Sequence, residues 1–537
     1  MNLYLREDVK IEPLCGRWYA WHHLIAPFQH GLQIKHRHIP LFKSFMADPQ
    51  THQEAAKDPD LMCGPFMDLA PENVERVSAL MGETLERFEP LLRFCEDLRT
   101  LEDRMCASAT GHCLDSWYSG LPPSLAGIVE FSYDHRNVPR VSLREPLLYE
   151  MDCAKTFQEL YLHRTADSSR KFFLNTPRID PTPEEAILPV SFDDDRIDIL
   201  SRARLTPVTS RELESQFPEL ASLRVRDGLF SEEPPKRVAP KFDGDGVRIR
   251  YLGHACALIE TRDVSILVDP VLAQTRDSKL ATLTLSDLPD QIDYVFISHA
   301  HQDHFCFESL LQLRRRIGTI IVPQNVRGSL TDPSMRLALA SIGIKSVRSV
   351  EDMDRIEVPG GHITSIPFPG EHCDLDVKTR HCAGVSLLSR NFLLVVDSDA
   401  VDSGLYERLR QHIHDVDALF LGMECDGAPL SWLYGPLLSK PVARRDDESR
   451  RGRGSNCERA YQVARTIGCR AVYVYAMGME PWNRHLLGLG YTPESIQITE
   501  SNRFVERCRM AGIQAERLQG CREFFFSEAL QVKAGHV

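Results

Sequence analysis

Metal-binding side chains are concentrated in the segment 298–304. His299 and His301 lie two residues apart, so in an extended segment they project to the same side and can share one metal ion. Asp303 and His304 continue into the following turn and can reach a second ion. Neutral imidazole and carboxylate are ligands that divalent zinc, iron and manganese accept. The spacing therefore predicts a dinuclear metal site, in preference to a solvated loop that is merely rich in histidine.

Two further positions with ligand chemistry each follow an apolar run. Glu371 and His372 come after the run 366–370, and Asp397 comes directly after 393–396. Adjacent residues of an extended chain point to opposite sides, so only one of Glu371 and His372 is expected to reach the metal. Polar residues that end strands collect at one rim of a layered α/β fold. We therefore expect these positions to lie beside His299.

The elements that hold these residues can be predicted from the apolar pattern. The β-branched and aromatic run 294–297 predicts a buried strand, and the segment 305–313 predicts a helix, so the histidines occupy the connection between them. Further strands are predicted at 247–252, 257–260, 265–268, 319–322, 362–366, 392–396, 418–421 and 471–475. Short strands that alternate with helices predict an α/β fold with sheets covered by helices.

The length of 537 residues is too great for one hydrophobic core and predicts two or three domains. The proline and charge content of 231–245 is typical of a linker. We predict an α+β amino-terminal domain over 1–180, a small helical subdomain and linker over 181–245, and the metal-binding domain over 246–537.

The amino-terminal domain offers no catalytic spacing. Apolar residues recur every three or four positions from 74 to 88, which predicts an amphipathic helix that Pro90 ends or kinks. An aromatic cluster at 18–28 predicts a core or an interface. This domain is therefore expected to provide a dimer surface, a docking surface or a lid.

Composition narrows the class of protein. The net charge of -13 argues against a general nucleic-acid binder, and no apolar run approaches the length of a membrane span. Arg6, Glu7, Asp8 and Lys10 interrupt the region where a signal peptide needs an apolar core, so a cytoplasmic location is predicted. Fifteen cysteines without a C-x-x-C pair indicate reduced thiols.

From residue 247 to about 525 the chain resembles the metallo-β-lactamase superfamily, because a strand ending in Asp269 precedes the H-x-H-x-D-H motif and a candidate bridging aspartate follows it. It departs from the hydrolases of that superfamily in two ways. Glu371 or His372 stands where they have a histidine ligand, and no clear final histidine follows 472–478, where His485 is the nearest.

These departures are similar to one branch, the diiron β-hydroxylases of nonribosomal peptide biosynthesis of the chloramphenicol-pathway type. The most specific stretches are 251–256, 369–375, 432–437, 449–451 with 454–456, and 472–482. The resemblance implies a four-layer αββα sandwich after the α+β domain. It also implies an oxo-bridged dinuclear iron cluster with His299, His301 and Glu371 on one iron, Asp303 and His304 on the other, and Asp397 bridging.

The implied reaction is hydroxylation of the β-carbon of an amino acid held as a thioester on the peptidyl carrier domain of a nonribosomal peptide synthetase. Dioxygen would be the co-substrate, an electron donor protein or reductant would supply electrons, and a homodimer is expected. Three carboxylates with three imidazoles form an oxygen-rich set that stabilises higher iron oxidation states. The leading alternative is a dinuclear zinc hydrolase of an ester, lactone or phosphodiester, which His372 as ligand would favour. A carrier-docking protein with a vestigial site is a third alternative, and the six-residue ligand set argues against it.

Several other residues have two interpretations each. Glu424 is the candidate catalytic residue, because it ends a strand at the predicted rim and would there meet the amino group of the tethered amino acid; a solvated or structurally paired glutamate is the alternative. Asp269 either orients a ligand histidine or caps its strand. His254 and His372 are expected to support the site without binding metal. The arginines within 444–453 either receive a phosphopantetheine phosphate or an acidic carrier domain, or form a solvated ion-pair network.

Overall fold

The structure is a computed structural model that describes residues 2–151, 157–238, 241–276, 279–488 and 490–527. Its amino-terminal part contains both short strands and helices. The strands there are β1 (Asn2–Leu5), β2 (Lys10–Cys15), β3 (Trp18–Tyr19), β4 (Val129–Tyr133), β5 (Pro139–Leu143), β6 (Gln158–His163), β7 (Ala186–Pro189), β8 (Val208–Thr209) and β9 (Phe230–Ser231). The helices there are α1 (His22–Ile25), α2 (Pro27–Gln33), α3 (Ile39–Ala47), α4 (Pro49–Lys57), α5 (Val74–Arg87), α6 (Glu89–Ser108), α7 (Asp115–Tyr118), α8 (Glu145–Leu148), α9 (Ile197–Arg202), α10 (Ser210–Gln216) and α11 (Leu223–Leu229). A π-helical turn, Ile34–His38, joins α2 to α3.

The predicted amphipathic helix is present as α5, and the chain breaks at Phe88 before α6 begins. Pro90 occupies the first turn of α6, where its missing N–H has no intrahelical partner to lose. Val77 and Leu80 of α5 are buried, as are Leu91, Phe94 and Leu98 of α6. The proline thus separates two helices, as its position predicted.

Two sheets of the amino-terminal part contain strands from both sides of residue 180, where a domain boundary was predicted. Strand β1 pairs with β8 and β9, and a four-stranded sheet has the order β3-β2-β6-β7. Residues on both sides of the predicted domain boundary therefore share hydrogen-bonded sheets. A separate subdomain over 181–245 stays a prediction.

The carboxyl-terminal part contains two seven-stranded sheets. The first has the order β15-β14-β13-β12-β11-β10-β23 and consists of β10 (Val247–Gly253), β11 (Cys256–Glu260), β12 (Ser265–Val268), β13 (Ile292–Phe296), β14 (Ile317–Pro323), β15 (Val347–Val350) and β23 (Arg522–Phe526). The second runs in chain order and consists of β16 (Arg355–Val358), β17 (Gly361–Ile366), β18 (Cys382–Leu387), β19 (Arg390–Leu394), β20 (Val416–Gly422), β21 (Ala471–Tyr475) and β22 (Gln514–Arg517). The helices are α12 (Phe307–Leu313), α13 (Met335–Ser341), α14 (Ser403–Leu409), α15 (Leu430–Tyr434), α16 (Arg444–Ser449), α17 (Cys457–Ile467), α18 (Arg484–Leu487) and α19 (Ile496–Met510).

The two sheets pack face to face. Ile249 and Phe296 of the first sheet share one buried cluster with Val385 and Phe420 of the second. Alternate residues of each strand face outward, where α14, α17 and α19 cover the second sheet, and α12, α13 and the amino-terminal part cover the first. The arrangement is the predicted αββα sandwich. In the described part of the chain, every helix is too short or too polar to cross a bilayer.

A buried ionic cluster joins the two parts. Glu12 accepts hydrogen bonds from Arg170 Nε and Arg178 Nε, both at 2.8 Å, and Arg170 also contacts Glu308. The hydroxyl of Tyr19 donates to Glu308 at 2.8 Å. Glu308 lies in the first turn of α12, four residues after His304, so the amino-terminal part holds the end of the metal-binding motif in place.

Candidate metal centre

The four residues of the histidine motif lie in the connection between β13 and α12, as predicted. His299 Nε2 lies 3.1 Å from His301 Nδ1, so two ring nitrogens face each other. His304 Nε2 lies 3.3 Å from Asp303 Oδ2. All four residues are buried except for part of His301. The segment therefore directs donor atoms inward and is not a solvated loop.

Glu371 and Asp397 join this cluster from the second sheet. Glu371 Oε1 lies 3.3 Å from His301 Nδ1. Asp397 Oδ2 lies 2.9 Å from His304 Nε2 and 3.8 Å from His299 Nε2, and so stands between two histidines. The residues that follow the strand ends therefore lie at one rim, as predicted, and all six candidate ligands meet there.

The backbone is strained where it delivers these side chains. Glu371 has a φ of 66°, and Val396, directly before Asp397, has a φ of 49°. Left-handed backbone is rare for a β-branched residue and costs on the order of 1–3 kcal/mol. Strain of this kind concentrates at functional sites, where tertiary packing enforces the conformation.

Asp269 orients His304. Its Oδ2 lies 2.9 Å from His304 Nδ1, and its Oδ1 accepts the Ser298 backbone N–H at 2.7 Å. With Nδ1 engaged, Nε2 of His304 faces Asp303 and Asp397. Of the two predicted roles for Asp269, the structure supports orientation of a histidine.

His254 supports Asp303. The Gly478 N–H donates to His254 Nδ1 at 3.1 Å, so the ring proton is on Nε2, which lies 2.9 Å from Asp303 Oδ2. His254 therefore donates to the carboxylate. This matches the expectation that it supports the site.

Tyr434 is a site residue that the motif analysis did not single out, although it lies within the specific stretch 432–437. Its hydroxyl lies 2.8 Å from His301 Nε2. Because His301 faces His299 and Glu371 with Nδ1, the bond to Tyr434 fixes the orientation of the ring. A long-range contact of this kind has no signal in local spacing.

Two further histidines, His372 and His485, do not direct a ring nitrogen at the cluster as His299, His301 and His304 do. The His372 ring stacks on His301 with centroids 4.6 Å apart, and its pKa is lowered by burial. His485 lies 4.0 Å from Glu308 and packs edge-on against Tyr19 in the ionic cluster between the two parts. The geometry therefore favours Glu371 over His372 and gives His485 no place in the centre.

Glu424 follows β20 and lines a cavity of about 280 Å³ together with His301, Glu371 and Asp397. Burial raises the pKa of its carboxyl, and the nearby carboxylates, Asp397 first, raise it further. The cavity wall also includes apolar side chains, among them Trp432 and Leu487. Glu424 is thus a partly buried acid at the site and not a solvated surface glutamate.

Two arginines of the segment 444–453, Arg450 and Arg451, contact neighbouring residues. Arg451 pairs with Asp426 at 2.9 Å and with Glu448 at 2.7 Å, and Arg450 donates to the Cys373 carbonyl at 3.0 Å. The structure therefore favours the ion-pair interpretation for Arg451, and it holds Arg450 on a backbone carbonyl.

The donor set fits a pair of metal ions. His299, His304 and Asp397 place ligand atoms within 4.8 Å of one another. Asp303 and His304 form a second such group with His254, which supports Asp303 by its hydrogen bond. Asp397 Oδ1 is buried without a hydrogen-bond partner among the described residues. Buried carboxylates need compensating cations, and burial lowers the pKa of His299, which keeps its imidazole neutral for coordination.

Comparison with known proteins identifies the family. Residues 4–234 match the diiron non-heme beta-hydroxylase N-terminal domain, and residues 248–376 match a beta-lactamase superfamily domain. The chain is 32% identical over 525 residues to the 4-amino-L-phenylalanyl-(CmlP-peptidyl-carrier-protein) 3-hydroxylase of Streptomyces venezuelae, covering 96% of this chain and 98% of that protein. The chain belongs to the diiron β-hydroxylase family.

Solved structures agree with the assignment to the diiron β-hydroxylases. The crystal structure of CmlA, a diiron beta-hydroxylase from Streptomyces venezuelae, superimposes with a TM-score of 0.91 at 31% identity, covering 98% of this chain and all of that one. The structure of a point mutant of the CmlA beta-hydroxylase gives a TM-score of 0.89. The chain is therefore a hydroxylase with a dinuclear iron centre, and the alternative of a zinc hydrolase is not supported.

Proposed function

We propose that this diiron β-hydroxylase uses dioxygen to hydroxylate the β-carbon of an amino acid held as a thioester on a peptidyl carrier domain. The relative that matches along its whole length is named for a reaction on an aminoacyl carrier protein. The observation that carries the proposal is the contact network that joins the six candidate ligands. Glu424 lines the same cavity as four of them, His301, Asp303, Glu371 and Asp397.

We assign one iron to His299, His301 and Glu371, the second to Asp303 and His304, and the position between them to Asp397. The contacts of Asp397 with both His299 and His304 support its bridging place. Bound iron supplies redox chemistry and dioxygen activation, which zinc cannot offer.

The protein orients these ligands through hydrogen bonds. Asp269 holds His304, His254 donates to Asp303, and Tyr434 bonds His301. Partners of this kind fix the tautomer and direction of a ligand ring, and their loss typically costs about 10–100-fold in metal affinity or activity.

Glu424 positions the substrate in this proposal. A partly buried carboxyl beside three other carboxylates favours the approach of a cation, and the ammonium group of an aminoacyl thioester is such a cation. Its salt bridge to Glu424 would place the β-carbon towards Asp397 and Glu371. The apolar wall at Trp432 and Leu487 excludes water from the reacting carbon.

The first test is elemental analysis of freshly purified protein, with an absorption spectrum of the same sample. Two irons per chain and oxygen-dependent gain of one oxygen atom on an aminoacyl carrier domain would support the proposal. Two zincs that persist after growth in iron-rich medium, with ester or lactone hydrolysis, would contradict it. The homodimer, the electron donor and the cytoplasmic location stay predictions.

A further inference from the structure

A second, larger cavity adjoins the metal cavity. Its volume is about 870 Å³, against about 280 Å³ for the metal cavity, and the two share Cys63 and Trp432 as wall residues. We call the larger one the outer groove. Its walls come from both parts of the chain, with Leu41, Pro65 and Leu174 from the amino-terminal part and Pro436 and Val442 from the carboxyl-terminal part. The outer groove and the metal cavity therefore adjoin at Cys63 and Trp432, which we call the Cys63–Trp432 junction.

The groove is mostly apolar and contains one unused strong donor. Arg37 lines it, and its Nη1 is buried without a hydrogen-bond partner in the described ranges, while Nη2 donates to the Trp432 carbonyl. A buried guanidinium N–H without an acceptor costs free energy, on the order of 1–3 kcal/mol or more, unless a ligand supplies the acceptor. Arg37 belongs to the π-helical turn Ile34–His38, and π-helical turns in α-helices are frequent at functional sites.

The shape and chemistry select one occupant. A substrate tethered to a carrier domain must place its amino acid at the metal while the folded carrier stays outside, so a thin chain has to join the two. The pantetheine arm of a carrier is such a chain: it is extended and uncharged along its length, has a gem-dimethyl group for apolar contacts, and carries two amide carbonyls as acceptors. Cavities of about 300–1,000 Å³ with few polar groups are typical for ligands of this size.

We propose that the outer groove binds the pantetheine arm of the carrier domain, with the thioester sulfur at the Cys63–Trp432 junction and an amide carbonyl of the arm accepting from Arg37 Nη1. The proposal rests on the carrier-bound substrate of the proposed function. It gives the amino-terminal part a definite role, since α3 and the loop containing Cys63 form one wall of the substrate path.

Cys63 allows a direct test, because its free thiol lies where the arm's own sulfur should be. The probe is the 2-pyridyl disulfide of 4′-phosphopantetheine, and the reference is the 2-pyridyl disulfide of 2-mercaptoethanol. The Cys63 thiol loses its proton, its sulfur forms a disulfide with the probe sulfur, and pyridine-2-thione leaves with the electron pair and a proton. Cys106 and Cys113 are exposed and serve as internal references in peptide mass mapping.

Burial raises the pKa of Cys63 to about 11, so the reference reagent should label Cys106 and Cys113 first. We expect the phosphopantetheine probe to raise the ratio of Cys63 to Cys106 labelling at least tenfold over the reference. Equal ratios for the two reagents would overturn the proposal.

Two matched variants test whether the labelling preference arises in the outer groove. Ser439 is exposed on the groove wall, so Ser439→Trp narrows the groove, whereas Ser222→Trp places the same side chain on an exposed position elsewhere. We expect S439W to remove most of the tenfold preference and S222W to keep it. Retention of the full preference in S439W and in Arg37→Met, with unchanged melting temperatures, would also overturn the proposal.

The labelling needs no amino acid, iron or oxygen, so its outcome is separate from that of the proposed function. Selective labelling of Cys63 together with no hydroxylation of any aminoacyl carrier domain would support the groove and refute the function. Hydroxylation without selective labelling would refute the groove and keep the function.

Discussion

Glu371 and His372 are neighbours with opposite expected effects on iron binding. Glu371 Oε1 approaches the ring nitrogen of His301 that faces the cluster, whereas His372 meets the cluster through ring contacts with His301 and His299. We predict that Glu371→Gln loses iron and that His372→Phe, which keeps a stacking ring but has no ring nitrogen, retains both irons.

The size of the Glu371 effect follows from its charge. Two unit charges about 4 Å apart attract by about 4 kcal/mol at an effective dielectric constant near 20. Since about 1.4 kcal/mol is a factor of ten, Glu371→Gln should weaken the iron held by His299 and His301 by about a thousandfold or more. His372→Phe removes no charge, because burial lowers the pKa of His372 and leaves it neutral. Its iron affinity should change by less than about tenfold, below the usual range for a lost ligand partner.

The assay is competition of each variant with a graded chelator, followed by elemental analysis of iron per chain. Hydroxylation of an aminoacyl carrier domain should disappear in Glu371→Gln and persist in His372→Phe. The assignment of Glu371 would be refuted if Glu371→Gln kept two irons and His372→Phe lost one. That result would move the ligand by one residue and reopen the hydrolase alternative.

Three further predictions concern other parts of the molecule. Tyr434→Phe removes the bond to His301 and should lower kcat about 10–100-fold and shift the iron absorption bands, while iron content stays at two; an unchanged spectrum would contradict the role. Burial raises the pKa of Glu145 to about 7 from 4.5, so the folded protein binds this proton more tightly than the unfolded chain. Stability should fall by about 3 kcal/mol as the pH rises from 4.5 to 7, and Glu145→Gln should abolish that loss in urea titrations at about pH 5 and pH 8. Phe420→Ala opens a cavity between the sheets and should cost about 3–5 kcal/mol in the same titration, whereas Phe525→Ala, at a residue 65% exposed, should cost less than about 0.5 kcal/mol.

Local sequence was sufficient to predict individual strands and helices of the carboxyl-terminal part. Strands β12 and β21 have the predicted limits, and β13 and α12 flank the histidine motif as expected, because alternating and helical apolar patterns directly reflect which face of an element is buried. The helix pair α5 and α6 followed from apolar spacing and one proline. The sheets that join strands from both sides of residue 180 could not be predicted from local sequence, because β1 pairs with β8 and β9, which lie far along the chain.

The sequence by itself determined which residues of this protein are the candidates for a metal site. Residue types and spacing, with the family-specific stretches, were enough to name His299, His301, Asp303, His304, Glu371 and Asp397 together, because ligand chemistry depends on side-chain type and strand-end position. Only the tertiary structure decided how those residues are held. The bond from Tyr434 to His301, the placement of His485 in the ionic cluster and the meeting of Cys63 with Trp432 at the groove all join distant segments. Such contacts depend on how helices and strands from distant parts of the chain pack together. A local sequence pattern reports only which face of one element is buried, so it cannot predict them.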